Sequence, residues 1–113
     1  METPNDATRA AFLSALPDDD RVRRGQMFGH PCAFVGDNLF LGTFAQTLIF
    51  RLGEARAAAL IAAGAAAPFA PQGGRTWRAY VCVPVDSPEA ANLAALAREA
   101  LEHAAGLPPK NRL

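Results

Sequence analysis

QMFGHPCAFVGDNLFLGTFAQTLIFRL, the run from Gln26 to Leu52, decides the fold. It is rich in Phe, Val, Leu and Ile and punctuated by Gly and Asn, the composition of short strands joined by tight turns. Gly36-Asp37-Asn38 sits between two β-like runs and is a hairpin signal. The pattern predicts strands at about 26–29, 32–36, 39–44 and 47–52. Links this short allow only antiparallel neighbours. Side chains alternate along a strand, so Leu39 and Leu41 are expected on one face and Phe40 and Phe44 on the other. With apolar residues on both faces, the sheet is expected to carry helices on one side and partial cover on the other.

Working outward, the chain before the sheet reads as a helix. Asn5 or Asp6 can cap it, Phe12, Leu13 and Leu16 give it an apolar side, and Pro17 stops it. DDDRVRR (18–24) then reads as a solvated connector or a helical turn. Beyond the sheet, Glu54 to Ala63 predicts a second helix with a stripe of Ala57, Leu60 and Ile61, ended by Gly64. The prolines and Gly-Gly of residues 65–76 exclude regular structure there, and Trp77 to Val83 predicts one more strand. Asp86-Ser87-Pro88-Glu89 is a helix start, followed by Leu93, Leu96, Ala97, Ala100 and Leu101 at the spacing of one helical face. Gly106 ends that helix and LPPKNRL (107–113) reads as a frayed tail. The expectation is a single α+β domain spanning 1–113, an antiparallel sheet of about five strands flanked by three helices in the order α-β-β-β-β-α-β-α.

Composition narrows the function classes. The chain has 113 residues, enough to bury roughly two-thirds of its unfolded surface without a disulfide or metal staple. Eleven basic and eleven acidic residues cancel, whereas a dedicated nucleic-acid binder usually carries a basic excess. The polar N-terminus METPNDATRA has no apolar core of a signal peptide, and no run approaches the ~20 apolar residues of a membrane span. A cytoplasmic location is expected, with Cys32 and Cys82 reduced.

Five groupings carry residue types with chemical potential. Gly73-Gly74-Arg75 precedes a strand and lacks the lysine and following helix of a phosphate loop. His30-Pro31-Cys32 with Cys82 offers three soft ligands, without the paired spacing that pre-places zinc ligands. Cys32 with His30 as base has no third group to orient the imidazole. Asp18-Asp19-Asp20 is consecutive, where a calcium loop alternates its carboxylates. Arg21, Arg23 and Arg24 form the only close basic cluster and are the candidate nucleic-acid contacts, with Arg51 or Arg78 as additions. No catalytic, metal or cofactor residues are assigned.

The ordered landmarks resemble one family. Met27-Phe28-Gly29, Phe34-Val35-Gly36-Asp37, Leu39-Phe40, Gly42, Leu48 to Leu52, Arg56-Ala57, Pro68-Phe69, Pro71, Gly73, Tyr80, Val83-Pro84 and Pro88-Glu89-Ala90 together are similar to the N-terminal domain of the TfoX/Sxy competence-regulator family. The common family form has a second glycine after Met-Phe-Gly, where this chain has His30-Pro31. Full-length members add a C-terminal helical domain that the sequence to Leu113 does not include. The resemblance implies an α+β fold related to YjbR-like domains, no enzyme activity, no cofactor and no catalytic residues to carry over.

The expected function is a non-enzymatic regulatory or protein-interaction domain linked to transcription and competence control. The alternative is a DNA-binding or transcription-coactivating module working through its arginines. A homodimer through the sheet or its edge strand is also expected. Phe28, Phe34, Phe40, Phe44 and Phe50 are more aromatic surface than alanine-rich helices can cover, leaving residues 65–76, Trp77 or a second chain to cover it.

Overall fold

Four consecutive strands realise the Gln26–Leu52 pattern in a computed structural model that describes residues 3–27, 29–71, 74–86 and 92–108. They are β1 (Arg23–Met27), β2 (His30–Val35), β3 (Asn38–Phe44) and β4 (Thr47–Arg51), each antiparallel to the next. Gly36 and Asp37, with φ of 55° and 67°, form the two-residue turn between β2 and β3. Two successive positive φ values match the right-handed twist of the flanking strands, which is why Gly and Asp stand there. Helices α1 (Asp6–Ala15), α2 (Glu54–Ala62) and α3 (Leu93–Ala105) and strands β5 (Ala67–Pro68) and β6 (Tyr80–Pro84) complete the α+β fold. The sheet order is β1-β2-β3-β4-β6-β5, so β1 and β5 are the edges.

The larger departures from the sequence expectation arise where tertiary pairing overrides local pattern. β1 begins at Arg23 inside the expected connector, because Arg23 and Arg24 pair with Phe34 and Ala33. An edge strand takes its hydrogen bonds from one neighbour, and exposed arginines on it discourage further pairing. Ala67 and Pro68, in the segment read as irregular, pair with Cys82 and Val81 at the opposite edge, a position that tolerates a proline. β6 begins at Tyr80 rather than Trp77, because Trp77 and Tyr80 close a turn in which the Tyr80 N–H donates to the Trp77 carbonyl at 3.0 Å.

A bulge redistributes the side chains of β3. Ala33 is opposite Leu41 but Phe34 is opposite Leu39, so Phe40 is the extra residue. Phe40 and Leu41 therefore both enter the main core, while Leu39 packs on the other face with Cys32, Ile49 and Phe69. This corrects the expected split of Leu39 and Leu41 against Phe40 and Phe44: the period of two breaks wherever two residues oppose one. The main core holds Phe40, Phe50, Leu48, Val81 and Val83 of the sheet against Phe12 of α1 and Leu96, Ala97, Ala100 and Leu101 of α3. Small alanines let α3 approach the sheet closely, and the bulky residues come from the strands.

The second face is covered from the chain between α2 and β6. Phe69, 2% exposed, is the centre of a ring cluster with Phe44, Trp77 and Tyr80 at centroid distances of 5.2, 5.1 and 6.2 Å. Of the five phenylalanines expected to be in surplus, Phe40 and Phe50 are buried beneath the helices. Phe34 and Phe44 are half-buried on the second face, and Phe28 lies outside the described residues.

The helix caps follow the sequence where they are described. Asn5 caps α1, its Oδ1 accepting from the Thr8 N–H at 2.8 Å, and Gly64, with φ of 74°, ends α2. The expected α3 start at Ser87-Pro88-Glu89 and the tail from Pro109 lie outside the described residues. Gln46, in the β3–β4 turn, ties the N-terminal segment down: its Oε1 accepts from the Asn5 N–H at 2.9 Å and its Nε2 donates to the Thr3 carbonyl at 2.8 Å. Among the described residues no helix is long and apolar enough to cross a membrane.

Candidate functional site

The three clustered arginines diverge in space. Arg21 donates through Nε and Nη2 to the two carboxylate oxygens of Asp19 at 2.9 and 2.8 Å, and through Nη2 to Glu102 at 2.9 Å. Arg98 of α3 donates to Asp19 at 3.1 Å and lies 3.7 Å from Glu102. Two cations and two anions thus form one network on the outer side of α3, and Arg21 adds no net field there. Hydrogen bonds from the Arg21 side chain and backbone, joined by Arg98, hold the Asp19 carboxyl well below the usual carboxylate range. Arg23 and Arg24 are adjacent on β1 and so point to opposite faces. Arg23 lies 3.6 Å from Asp37, whereas Arg24 has no ion-pair partner among the described residues.

Arg51 and Arg78 stand elsewhere. Arg51 on β4 lies over the Tyr80 ring at 5.7 Å, three strands from β1 in the sheet order. Arg78 lines a cleft of about 270 Å³ with Glu54, Thr76 and Tyr80, between α2 and the turn before β6.

The thiols are too far apart to share an ion. Cys32 is in register with Gly42, Gly42 with Ile49, and Ile49 with Cys82. Three strand spacings separate the two cysteines, roughly 14 Å. No group of three or more His, Cys, Asp or Glu residues with the geometry of a metal site occurs among the described residues. Cys32 is wholly buried, and burial pushes its thiol up to about 11, so at neutral pH it is a protonated packing group rather than a nucleophile. His30 lies within β2 and is buried, not in a turn. Gly74 and Arg75 lead through a turn into β6 rather than a helix, and Gly73 lies outside the described residues.

The arrangement that offers a binding surface lies over β2, between β1 and α1, which packs on β3 and β4. A groove of about 330 Å³ is lined there by Arg9, Phe12, Leu13, Arg24, Gln26 and Pro31, among others. Leu13, 53% exposed, is the one exposed large hydrophobic residue among those described. Arg9 and Leu13 are four residues apart and share a side of α1. Arg24 and Gln26 face the same side from the strand, since their partners Ala33 and Pro31 lie toward the helices. The floor is apolar, and two guanidiniums stand at the rim, that of Arg9 paired with Asp6 at 3.2 Å; among the described residues the outer backbone of β1 has no sheet partner.

The sequence model of one family, described as the TfoX N-terminal domain, matches residues 13–104. The chain belongs to this family. No curated protein and no solved structure matches it. In this TfoX N-terminal domain the matched segment begins inside α1 and ends inside α3, so it takes in the whole sheet and one wall of the groove.

Of the expected nucleic-acid contacts, only Arg24 enters the groove; Arg21 and Arg23 are directed elsewhere. Sequence reasoning missed Arg9, Leu13 and Gln26. Leu13 lies off the buried stripe of Thr8, Phe12 and Ala15, but it is also three residues before Leu16, so in the sequence it reads as part of the apolar side.

Proposed function

We propose that this TfoX N-terminal domain is a non-enzymatic regulatory module that works by binding another macromolecule through the groove between α1 and β1. The observation that carries the reading is that apolar floor beside an unpaired strand edge, with Arg9 and Arg24 at its rim. Support comes also from the chemistry of the two cysteines, which are separated across the sheet and held protonated by burial. Family membership and the resemblance to competence regulators support a role in transcription control, in the cytoplasm, with no cofactor.

The test is purification followed by metal analysis and a screen of phosphate, ester and thiol substrates. The expected result is no stoichiometric metal and no turnover. Stoichiometric zinc that disappears with Cys32→Ala, or turnover abolished by a single substitution, overturns the reading. The DNA-binding alternative has its own signature. Duplex DNA binding that weakens steeply with salt, with a slope flattened by Arg23→Ala and Arg24→Ala together, would favour it.

A further inference from the structure

We propose that the cleft between α2 and the turn before β6 binds a free α-amino acid with an aliphatic side chain. The cleft lies toward the β5 edge of the sheet, away from the groove beside β1, and stands independently of the reading above.

Main-chain bonds fix its walls. The Leu52 and Gly53 N–H groups donate to the Ala79 carbonyl at 2.9 and 3.1 Å, which seats the start of α2 on the turn. The Trp77 backbone N–H donates to the Phe69 carbonyl at 2.8 Å, which ties the turn to the chain after β5. The space between is about 270 Å³. Glu54, Ala58 and Ile61 recur at helical spacing along one flank of α2, and Pro68, Thr76, Arg78 and Tyr80 complete the lining. Pockets for drug-sized ligands run to about 300–1,000 Å³, so this one suits a smaller metabolite.

Charge then selects the ligand. Glu54 and Arg78 line one cleft with opposite charges, yet neither forms an ion pair, with the other or with any described residue. The neighbouring cations are engaged elsewhere: Arg56 lies 2.7 Å from Glu99, and Arg51 lies over the Tyr80 ring. As the first residue of α2, Glu54 complements the helix dipole, a role that leaves its oxygens open to a cation. Two exposed side chains gain little by closing on each other in water. A ligand that carries both charges gains from each of them. A simple anion such as phosphate meets the Glu54 carboxylate, and a simple amine meets the Arg78 guanidinium, so one member of the pair opposes either ligand.

An α-amino acid presents both charges on one carbon. Its ammonium donates to Glu54, and its carboxylate accepts from the paired N–H donors of Arg78, with the Thr76 hydroxyl on the same wall. The third substituent then falls to Ala58, Ile61 and Pro68, the aliphatic part of the lining. Ala58 and Pro68 are exposed and Ile61 is half-buried, so a branched aliphatic side chain removes apolar surface from water there. Three different contacts to one carbon also fix its handedness.

The experiment is titration of the isotope-labelled full chain with L-leucine, followed by amide N–H nuclear magnetic resonance. Saturable shifts in the millimolar range, centred on residues 54–61 and 76–80, are expected. N-acetyl-leucine lacks the ammonium and leucinamide lacks the carboxylate, and each is expected to bind at least about fivefold more weakly, as is D-leucine. Glu54→Gln and Arg78→Gln, both at exposed side chains, are expected to weaken L-leucine by a similar factor. Glu54→Gln should also erase the difference between L-leucine and its N-acetyl derivative, because the two changes remove one contact. Asp20→Asn, an equal loss of charge at an exposed position elsewhere, is expected to stay within about twofold. The same spectra report whether each variant is folded, and if one is not, the three ligand derivatives decide. No saturable shift by about 10 mM L-leucine overturns the proposal, as do shifts centred elsewhere or equal binding of the derivatives. None of these outcomes bears on the groove beside β1, whereas metal or turnover in the earlier assays removes the non-enzymatic reading whatever leucine does.

Discussion

Replacing Phe69 by alanine should strip the cover from the second face of the sheet while leaving the helix-side core intact. Phe69 is 2% exposed and touches no residue of the main core cluster; its neighbours are Cys32, Leu39 and Ile49 and the rings of Phe44, Trp77 and Tyr80. Truncating a buried phenylalanine costs about 3–5 kcal/mol, transfer and cavity together. Edge-to-face partners at 5.1 and 5.2 Å, with interplanar angles of 84° and 77°, put the expectation in the upper part of that range. A domain of this size is stable by about 5–15 kcal/mol, so the variant should fold, with its melting temperature lowered by on the order of 10–20 °C. The single tryptophan, Trp77, packs on Phe69 and its backbone N–H donates to the Phe69 carbonyl at 2.8 Å. Its fluorescence therefore reports the cover directly, while far-ultraviolet circular dichroism reports the helices. The expected result is a red-shifted native spectrum and, in urea, a fluorescence transition that precedes the dichroism transition. A loss under about 1 kcal/mol with coincident transitions would refute the view that this one ring holds the second face closed.

Gly42→Ala should cost about 1–3 kcal/mol by chemical denaturation, because the new Cβ would sit 3.2 Å from Ile49 Cγ1 and 3.3 Å from Cys32 Cβ in a packed row. Ala45→Gly should raise stability by up to about 1 kcal/mol, measured as a higher melting temperature. Ala45 holds a φ of 51°, a left-handed conformation that costs an L-residue more than glycine loses in chain entropy. The Cys32 thiol, raised by burial from an ordinary value of 9.0 to about 11, stays protonated in the folded chain after it ionises in the unfolded one. Its contribution is whole below about pH 9 and is lost as pH rises to about 11, so stability should decline across that window and the decline should shrink in Cys32→Ala. An unchanged alkaline slope in that variant would place the effect elsewhere.

Where local chemistry is strong, the sequence by itself determined the outcome. Gly36-Asp37 requires two positive φ values and sets the β2–β3 turn. Asn5 and Pro17 bracket α1, and Gly64 ends α2, because each residue has one backbone task it does better than its rivals. The spacing of Leu93, Leu96, Ala97, Ala100 and Leu101 marked the buried face of α3, to which the structure adds Ala104, since a helix has one period and no register to choose. Tertiary structure decided what depends on distant partners. The bulge at Phe40 is set by the pairing of β3 with β2, and one extra residue reverses every assignment upstream of it. β1 is a strand because β2 offers it an edge, not because RRGQM has a strand's pattern. The groove followed the same rule. Arg21, Arg23 and Arg24 are neighbours in sequence, but strand alternation and the carboxylates of Asp19, Glu102 and Asp37 scatter them, while Arg9, Leu13, Arg24 and Gln26 converge only when α1 is laid against the sheet. A charge cluster read along a chain assumes side chains that share a direction, and that direction is fixed by packing.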